Sequence, residues 1–568
     1  VTMVADDSYS RDYYDKASFS HQSDDIAEQY IPSDFQVNKI YLVEYPTVFA
    51  AGGRTKPQVT EDLLTTVNTT GSLFLNWIGH GNPRVWSHEG IFEREETIPL
   101  MKNIDKLFFL CAATCDFGRF DMNELSSGAE MLLYSKNGGA IGVFAATRVV
   151  YKSANAQINE DFYSEIFTRT ETNDYRTLGE AMFALKQYRT SVNDRKFFLM
   201  GDPTLKLLIP EYVIRFDKIN GMPIDNDKDT VELKALSNVK VEASIINPAT
   251  GMLYDDYNGT SIITMLDADE EIVAVDIDDS RHYILKRGGT LNRSSYPVEN
   301  GKFTAEFIIP RDISFADDQG RLYGYAYSEN NEYAKGFSDR FILGGINPDA
   351  IPDENGPEIS IYLDSREFLP GDIVSDNPLL IVDLSDESGI NATGNSIGHN
   401  IEAWIDDNPR SINLTAKFTN SLENSNSGTV EEYLYGLQPG THTIRIRAWD
   451  VFNNYSTAET VFRIAGEEAG IIIGDMRVIP NPFTGEGYFE FQHNISTPFT
   501  AEITVYSSLG QKISTIREDL SSLHTSQIFW HGFDNNENSL PSGMYYYRLL
   551  LRSNGKTAEK TGTISYIR

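Results

Sequence analysis

The chain has 568 residues, with 82 acidic against 48 basic side chains, a formal net charge of −34 and only two cysteines. This length exceeds what one hydrophobic core can serve, so we expect about three to five domains. The acidic charge without a basic stripe argues against a nucleic-acid partner, and two cysteines exclude a disulfide framework.

Residues 1–210 alternate apolar runs with helical patterns. The strand-like runs are VTMVAD, KIYLVEY, SLFLNWIG, KLFFLCAAT and GGAIGVFAAT, and the helical runs are TEDLLTTVNT, SSGAEMLLYSK and TLGEAMFALKQYRTSV. Strands that alternate with helices predict a three-layer α/β domain with a largely parallel sheet. The chain opens inside the first run, so we expect the amino-terminal part of this domain to precede Val1.

Both cysteines lie at one of these runs, KLFFLCAAT. Cys111 lies in its middle, and Cys115 directly follows its carboxyl end. On a strand, positions four apart are separated by about 13 Å, whereas a disulfide needs Cα atoms within about 7 Å. Ligands of open α/β sheets bind at the carboxyl ends of strands. Cys111 is therefore predicted to be core, and Cys115 is either a nucleophile or an inert thiol.

A histidine follows the preceding strand in the same way. His80 lies between two glycines at the end of LFLNWIGHG. If this strand and the Cys115 strand are parallel neighbours, the histidine lies beside the thiol and can take its proton. The alternative is a loop histidine bonded to backbone, which is also how we interpret His88.

The sequence pattern changes at about residue 211. Short alternating strands such as VELKAL, KFTAEFIIP, EISIYLDS and THTIRIRAW recur between turns rich in Asn, Asp, Gly and Pro. This pattern is typical of immunoglobulin-like β-sandwiches. We predict three of them, over residues 211–345, 346–472 and 473–568.

The first domain resembles the gingipain family of cysteine peptidases, peptidase family C25, which has a caspase-like α/β fold. The matching pieces are Gly79-His80-Gly81, Cys115 and Phe120-Asp121. The resemblance implies that Cys115 is the nucleophile and His80 the base.

The same resemblance implies the other catalytic groups. An acidic residue after an earlier strand orients the histidine, and here Asp7 is favoured over Asp6. The alternative is that both are solvated loop carboxylates. The backbone N–H groups of Gly81 and Cys115 are expected to form the oxyanion hole. No metal is expected in this site.

The last ~95 residues resemble the C-terminal sorting domain of proteins exported by the type IX secretion system of Bacteroidota. The pieces that match in order are PNPF at 480–483, VYSSLGQKI, SGMYY at 542–546 and the terminal ISYIR. The strand GMYYYRLLL is either an apolar edge that docks a partner or an internal strand.

A peptidase domain, two sandwiches and this tail resemble the cell-surface sortase of that system, and so does the stretch 381–407. The resemblance implies an exported protein at the outer membrane that cleaves sorting domains from client proteins and transfers the clients to anionic lipopolysaccharide. It further implies docking to the β-barrel shuttle protein PorV. The alternatives are an exported endopeptidase cargo and an inactive adhesin or scaffold. No cofactor is expected, although a structural calcium ion is left open by the acidic stretch 267–279.

Overall fold

The computed structural model describes residues 1–567 except 8–18, 51–52, 124, 172, 225–229, 277–278, 315–316, 376, 393–398, 422–425, 465–470, 484, 494, 496–497, 521–524, 536–537 and 554. It confirms the predicted fold class, because an α/β unit is followed by β-sandwich units.

The α/β unit is built on a six-stranded sheet with the order β10-β9-β8-β5-β1-β2. The strands of the sheet are β1 (Thr2–Ala5), β2 (Asn38–Tyr41), β5 (Phe74–Ile78), β8 (Phe108–Ala113), β9 (Ala140–Ala146) and β10 (Phe197–Gly201). Two separate two-stranded sheets are formed by β3 (Val48–Ala50) with β4 (Gly53–Thr55) and by β6 (Val85–Trp86) with β7 (Phe92–Glu93). All neighbours in the six-stranded sheet are parallel except β10, which runs antiparallel to β9. The predicted parallel strands are therefore present, and sequence analysis missed β10.

Five helices cover the two faces of this sheet. They are α1 (Phe19–Gln29), α2 (Pro57–Thr65), α3 (Gly128–Tyr134), α4 (Lys152–Ile166) and α5 (Leu178–Tyr188). Helices α1, α4 and α5 share one apolar cluster with alternate strand residues such as Met3 and Cys111. Helices α2 and α3 share the other cluster with the intervening residues such as Val4 and Leu110. Because successive strand side chains point to opposite faces, this is the predicted three-layer arrangement.

The first sandwich unit contains a nine-stranded and a three-stranded sheet around one apolar cluster. Its strands are β11 (Tyr212–Ile219), β12 (Met222–Pro223), β13 (Val231–Ala235), β14 (Asn238–Asn247), β15 (Met252–Leu253), β16 (Gly259–Leu266), β17 (Glu270–Val275), β18 (Arg281–Lys286), β19 (Thr290–Val298), β20 (Lys302–Ile308), β21 (Asp318–Gln319), β22 (Arg321–Ser328), β23 (Tyr333–Ser338) and β24 (Phe341–Ile346). The hairpin of β17 and β18 forms a separate two-stranded sheet.

The second sandwich unit packs a four-stranded sheet, β25-β27-β31-β30, against a five-stranded sheet, β26-β33-β32-β28-β29. Its strands are β25 (Glu358–Leu363), β26 (Ile373–Val374), β27 (Leu379–Ser385), β28 (Glu402–Ile405), β29 (Ile412–Asn413), β30 (Phe418–Asn420), β31 (Ser427–Tyr433), β32 (Gly440–Trp449) and β33 (Tyr455–Ile464).

The last unit packs the sheet β34-β35-β38 against the sheet β37-β36-β39-β40. Its strands are β34 (Ile473–Ile479), β35 (Gly487–His493), β36 (Phe499–Ser507), β37 (Lys512–Leu520), β38 (Thr525–Trp530), β39 (Gly543–Ser553) and β40 (Lys556–Tyr566). Strand β39, which contains GMYYYRLLL, pairs with β36 on one side and β40 on the other. The expectation that it forms an exposed edge is therefore wrong, because both of its hydrogen-bonding sides are occupied.

Across the described parts of all four units, no helix is both long and apolar enough to cross a membrane.

Candidate active site

Strand order brings the predicted catalytic residues to one edge of the α/β sheet. Strand β5 lies between β1 and β8, and the register pairs the last residue of β5 with the last residues of both neighbours. Two positions beyond these pairs come Asp7 after β1, His80 after β5 and Cys115 after β8. Because parallel neighbours lie about 4.8 Å apart, the three residues leave the sheet side by side.

The two glycines around His80 allow this close approach. A Cβ atom at Gly79 would lie 2.5 Å from the Cβ of Asp6, and a Cβ atom at Gly81 would lie 2.6 Å from Oγ1 of Thr114. Real Cβ atoms do not tolerate such distances. The His80 segment therefore runs directly against the carboxyl ends of both neighbouring strands, which only glycine allows.

The Cys115 thiol is partly exposed and contacts the loop after β9. Its Sγ accepts a hydrogen bond from the Val150 N–H at 3.4 Å and lies 3.5 Å from the Val150 carbonyl oxygen. Burial raises the pKa of Cys115, the charge of Asp116 adds to this, and the Val150 N–H and Lys196 oppose it. The resting side chain is thus a thiol at neutral pH, and a base must take its proton before it can attack.

The other cysteine lies in the core. Cys111 is fully buried, and neither thiol forms a disulfide. Burial raises the pKa of Cys111 far above its ordinary value. A thiol without solvent access and without access to its thiolate is a poor nucleophile.

Asp6 and Asp7 are both buried, each about 3% exposed, so the alternative of two solvated loop carboxylates is wrong. The Asp6 carboxylate accepts the backbone N–H of His80 at 2.8 Å and that of Asp7 at 3.1 Å. Asp6 therefore fixes the backbone at His80, the predicted base. Its pKa is raised well above its usual range, first by burial and then by the charge of Asp7.

The Asp7 carboxylate faces two cations, the buried Lys56 and the partly buried Arg54. Its oxygens lie 3.4 Å from Lys56 Nζ and 3.8 Å from Arg54 Nη2. Burial and the charge of Glu89 nevertheless raise the pKa of Asp7 to about 6, with Lys56 and Arg54 opposing. The role of Asp7 as the third catalytic residue stays a prediction.

The loop after His80 places Glu89 and the predicted loop histidine, His88, near the site. Glu89 is buried and forms an ion pair with Arg54. The ring of His88 lies 5.3 Å from the ring of His80, centroid to centroid, so His88 belongs to the surroundings of the site. The two residues belong to the stretch WSHEG at 86–90. Their contacts depend on how the loop folds back onto β5, so the sequence does not predict them.

Helix α1 supplies the remaining neighbour of the histidine. The ring of Phe19, the first residue of α1, meets the His80 ring edge-on with centroids 5.4 Å apart. No motif or spacing in the sequence indicates this contact between Phe19 and His80.

Two groups of carboxylates offer oxygens close enough together to share a cation. Asp6, Asp7 and Glu89 form one, and Asp353, Asp386 and Asp450 form the other, in the second sandwich unit. Oxygen donors of this kind suit calcium. In the first group Arg54 and Lys56 already offset the negative charge.

The pieces of the predicted sorting domain pack on one another. Phe483 is fully buried and stacks on Trp530 at 4.9 Å. Its backbone N–H donates to Ser565 at 2.7 Å, and it accepts the N–H of Ile567 at 2.8 Å. The ring of Tyr545 meets that of Tyr566 at 6.2 Å. The motifs PNPF, SGMYY and ISYIR thus meet around one end of this sandwich.

Comparison with known proteins gives one match to a family model. Residues 1–208 match the model described as peptidase family C25. No curated protein sequence matches the chain.

Solved structures give further matches. The crystal structure of dimeric latent PorU from Porphyromonas gingivalis is 26% identical, covers 76% of this chain and 41% of that chain, and has a TM-score of 0.34. The crystal structure of the Arg-specific cysteine proteinase gingipain R is 18% identical, covers 60% of this chain and 66% of that chain, and has a TM-score of 0.29. The chain spans less than half the length of that PorU chain.

Proposed function

We propose that this protein, whose residues 1–208 match the model of peptidase family C25, is a cysteine-peptidase-type sortase that removes sorting domains from exported client proteins. In this proposal Cys115 is the nucleophile, His80 the base and then the acid, and Asp7 the orienting carboxylate. The observation that carries it is the shared register of β1, β5 and β8, which ends all three strands at one edge.

The first half of the reaction forms a thioester. His80 takes the proton of the Cys115 thiol, and Sγ attacks the carbonyl carbon of the scissile peptide bond. The backbone N–H groups of Gly81 and Cys115 receive the oxyanion. The C–N bond then breaks, and His80 gives the proton to the leaving amine, which carries the sorting domain away.

The second half releases the client from the enzyme. An amine of anionic lipopolysaccharide, or water, attacks the thioester carbonyl and loses a proton to His80. The S–C bond breaks, and the proton returns to Cys115. A thioester suits transfer because it reacts readily with amines as well as with water.

A sorting domain is expected both in a sortase and in an exported peptidase cargo, and the two differ in whether the mature protein keeps this C-terminal sandwich. Its motifs resemble those of a sorting domain, and its apolar cluster contains residues of 471–566 only. We propose that the sortase keeps this unit and uses it to dock to the outer-membrane β-barrel shuttle PorV at the cell surface. The outward-facing side chains of Met544 and Tyr546, each about half exposed, are available on β39 for such a contact.

The test uses purified protein, a client that carries a sorting domain, and lipopolysaccharide as acceptor. Wild-type protein should release the sorting domain and give a client of higher mass. Cys115→Ala should do neither, and Cys111→Ala serves as the matched control that retains both. Cleavage without transfer would favour an exported endopeptidase, and no cleavage by wild type would favour an adhesin or scaffold.

Deletion of residues 473–568 separates sortase from cargo in cells. Because no core residue of the other units lies in this range, the peptidase should stay folded. We expect loss of surface retention and of client processing. A truncated protein that stays at the surface and processes clients normally would contradict the docking role.

A further inference from the structure

A hairpin of the first sandwich unit lies in the core of the peptidase domain. Within the described residues, β17 and β18 pair only with each other and not with the sandwich sheets. Ala274 on β17 and Ile284 on β18 are buried in the apolar cluster of α1, α4 and α5. Residues 270–286 therefore complete a domain whose own sequence ends some 60 residues earlier.

Polar contacts hold the same hairpin against α1 and β2. Lys39 of β2, which is about 8% exposed, donates from Nζ to the Leu285 carbonyl at 2.7 Å. Arg287 directly follows the hairpin, and its Nη2 lies 2.8 Å from both carboxylate oxygens of Glu28. The carboxylate thus holds one guanidinium nitrogen with both of its oxygens in a charge-assisted contact.

One buried histidine of the hairpin reaches the start of α1. His282 is about 5% exposed, and its Nδ1 lies 3.3 Å from Oγ of Ser20. Its Nε2 lies 3.2 Å from Oγ of Ser280 and 3.9 Å from a carboxylate oxygen of Asp276. The ring of His21 is 6.0 Å away.

The start of α1 in turn touches the catalytic histidine. Ser20 is adjacent to Phe19, and the Phe19 ring packs edge-on against His80. Ser20 and Phe19 are both buried. A shift of Ser20 would therefore displace the ring that limits the rotation of the His80 imidazole.

We propose that the hairpin β17–β18 is a positioning element of the active site, in which His282 acts on His80 through Ser20 and Phe19. This rests on the proposed function, because it assigns His80 the role of base. The location of Asp276 agrees with it, since the charge of Asp276 contributes to raising the pKa of Asp7. The peptidase domain would then be competent only with its following sandwich docked.

The test measures alkylation of Cys115 by iodoacetamide in the full chain between pH 5 and 9, with Cys115→Ala as the background. His80→Ala should slow alkylation near neutral pH by about tenfold or more. His282→Phe keeps a ring but loses the Ser20 contact, and it should slow alkylation on the order of tenfold. His282→Asn retains a polar atom toward Ser20 and should restore most of the rate.

Matched variants separate positioning from loss of fold. Tyr283→Ala changes the exposed neighbour on β18, and it should leave the rate unchanged. Leu185→Ala opens the core at α5 and lowers stability without removing the contact between His282 and Ser20. Ser20→Ala should be as slow as His282→Phe. The variant that carries both substitutions should be no slower than either single variant, since both substitutions break the same contact between Ser20 and His282.

The outcomes distinguish a failure of the positioning role of His282 from a failure of the proposed function. If His80→Ala slows alkylation but His282→Phe does not, the positioning role is wrong and the proposed function stands. If Leu185→Ala slows alkylation as much as His282→Phe, the effect is general destabilisation and the inference fails. If His80→Ala has no effect, the assignment of the base fails, and the proposed function fails with it.

Discussion

Gly81→Ala tests the geometry of the active site most sharply, because the clash it creates has a defined partner. The new Cβ would lie 2.6 Å from Oγ1 and 3.2 Å from Cγ2 of Thr114, a side chain with no solvent exposure. Reaching an ordinary contact of 3.4 Å requires the two strand ends to separate by about 0.8 Å. These strand ends carry His80 and Cys115.

The expected cost appears in both stability and rate. Overpacking of a tight site costs about 1–3 kcal/mol, and a misplacement of about 1 Å can slow catalysis on the order of 100-fold. Client cleavage and Cys115 alkylation report the rate, and urea unfolding reports the stability. Gly543→Ala, where a new Cβ meets nothing within 4 Å, is the matched control.

A second substitution shows whether this clash is the cause. The Thr114 hydroxyl makes no hydrogen bond among the described residues, so Thr114→Ala alone should be mild. In the double variant the methyl group at position 81 loses its two closest side-chain contacts, and the rate should recover to within about tenfold of wild type. A fully active Gly81→Ala protein, or a double variant as slow as the single one, would refute the reasoning.

Two further predictions concern buried groups of the same domain. Cys111→Ala should lower the free energy of unfolding by about 1 kcal/mol while client cleavage continues; loss of cleavage in that variant would reverse the assignment of the nucleophile. Asp7 has a pKa of about 6 in the folded protein against an ordinary 3.8, so the folded state binds its proton more tightly than the unfolded chain does. The free energy of unfolding should therefore fall by up to about 3 kcal/mol as pH rises from about 4 through 6. Asp7→Asn should flatten this fall in urea titrations and slow cleavage less than His80→Ala does, whereas an unchanged slope would contradict the burial of its charge.

The sheet and the catalytic edge could be predicted because their signals are local. The run that became β8 is apolar without interruption, and Asn76 is the one polar residue in β5. Two positions after each strand comes a residue with distinctive chemistry, His80 or Cys115. Parallel pairing then places those residues together without further information. The fold class followed from the same alternation of strand and helix patterns.

Helices α1 and α4 carried much weaker signals. Helix α1 reads FSHQSDDIAEQ and α4 reads KSANAQINEDFYSEI, and both are mostly polar. Part of the buried face of α4 is made of amide side chains, and Asn159 donates to Asn76 of β5 at 2.9 Å. The spacing of apolar residues does not reveal a helix whose buried face packs through polar side chains.

The contacts of the hairpin and of Glu89 could not be predicted from the sequence for a different reason. The contact between His282 and Ser20 joins residues 262 positions apart, and the surroundings of Glu89 form only when its loop folds back onto the sheet. The β-sandwich predicted over residues 211–345 includes the hairpin in its range, but that prediction says nothing about which domain the hairpin packs against.

The most direct test of the central claim is to locate the acyl-enzyme during turnover of a client. Both cysteines lie between the trypsin sites Lys106 and Arg119, so acid-quenched samples must be digested and the peptide fragmented to place the adduct. Our account predicts a client thioester on Cys115, none on Cys111, and no accumulation in His80→Ala. An adduct on Cys111, or continued cleavage by Cys115→Ala, would contradict it.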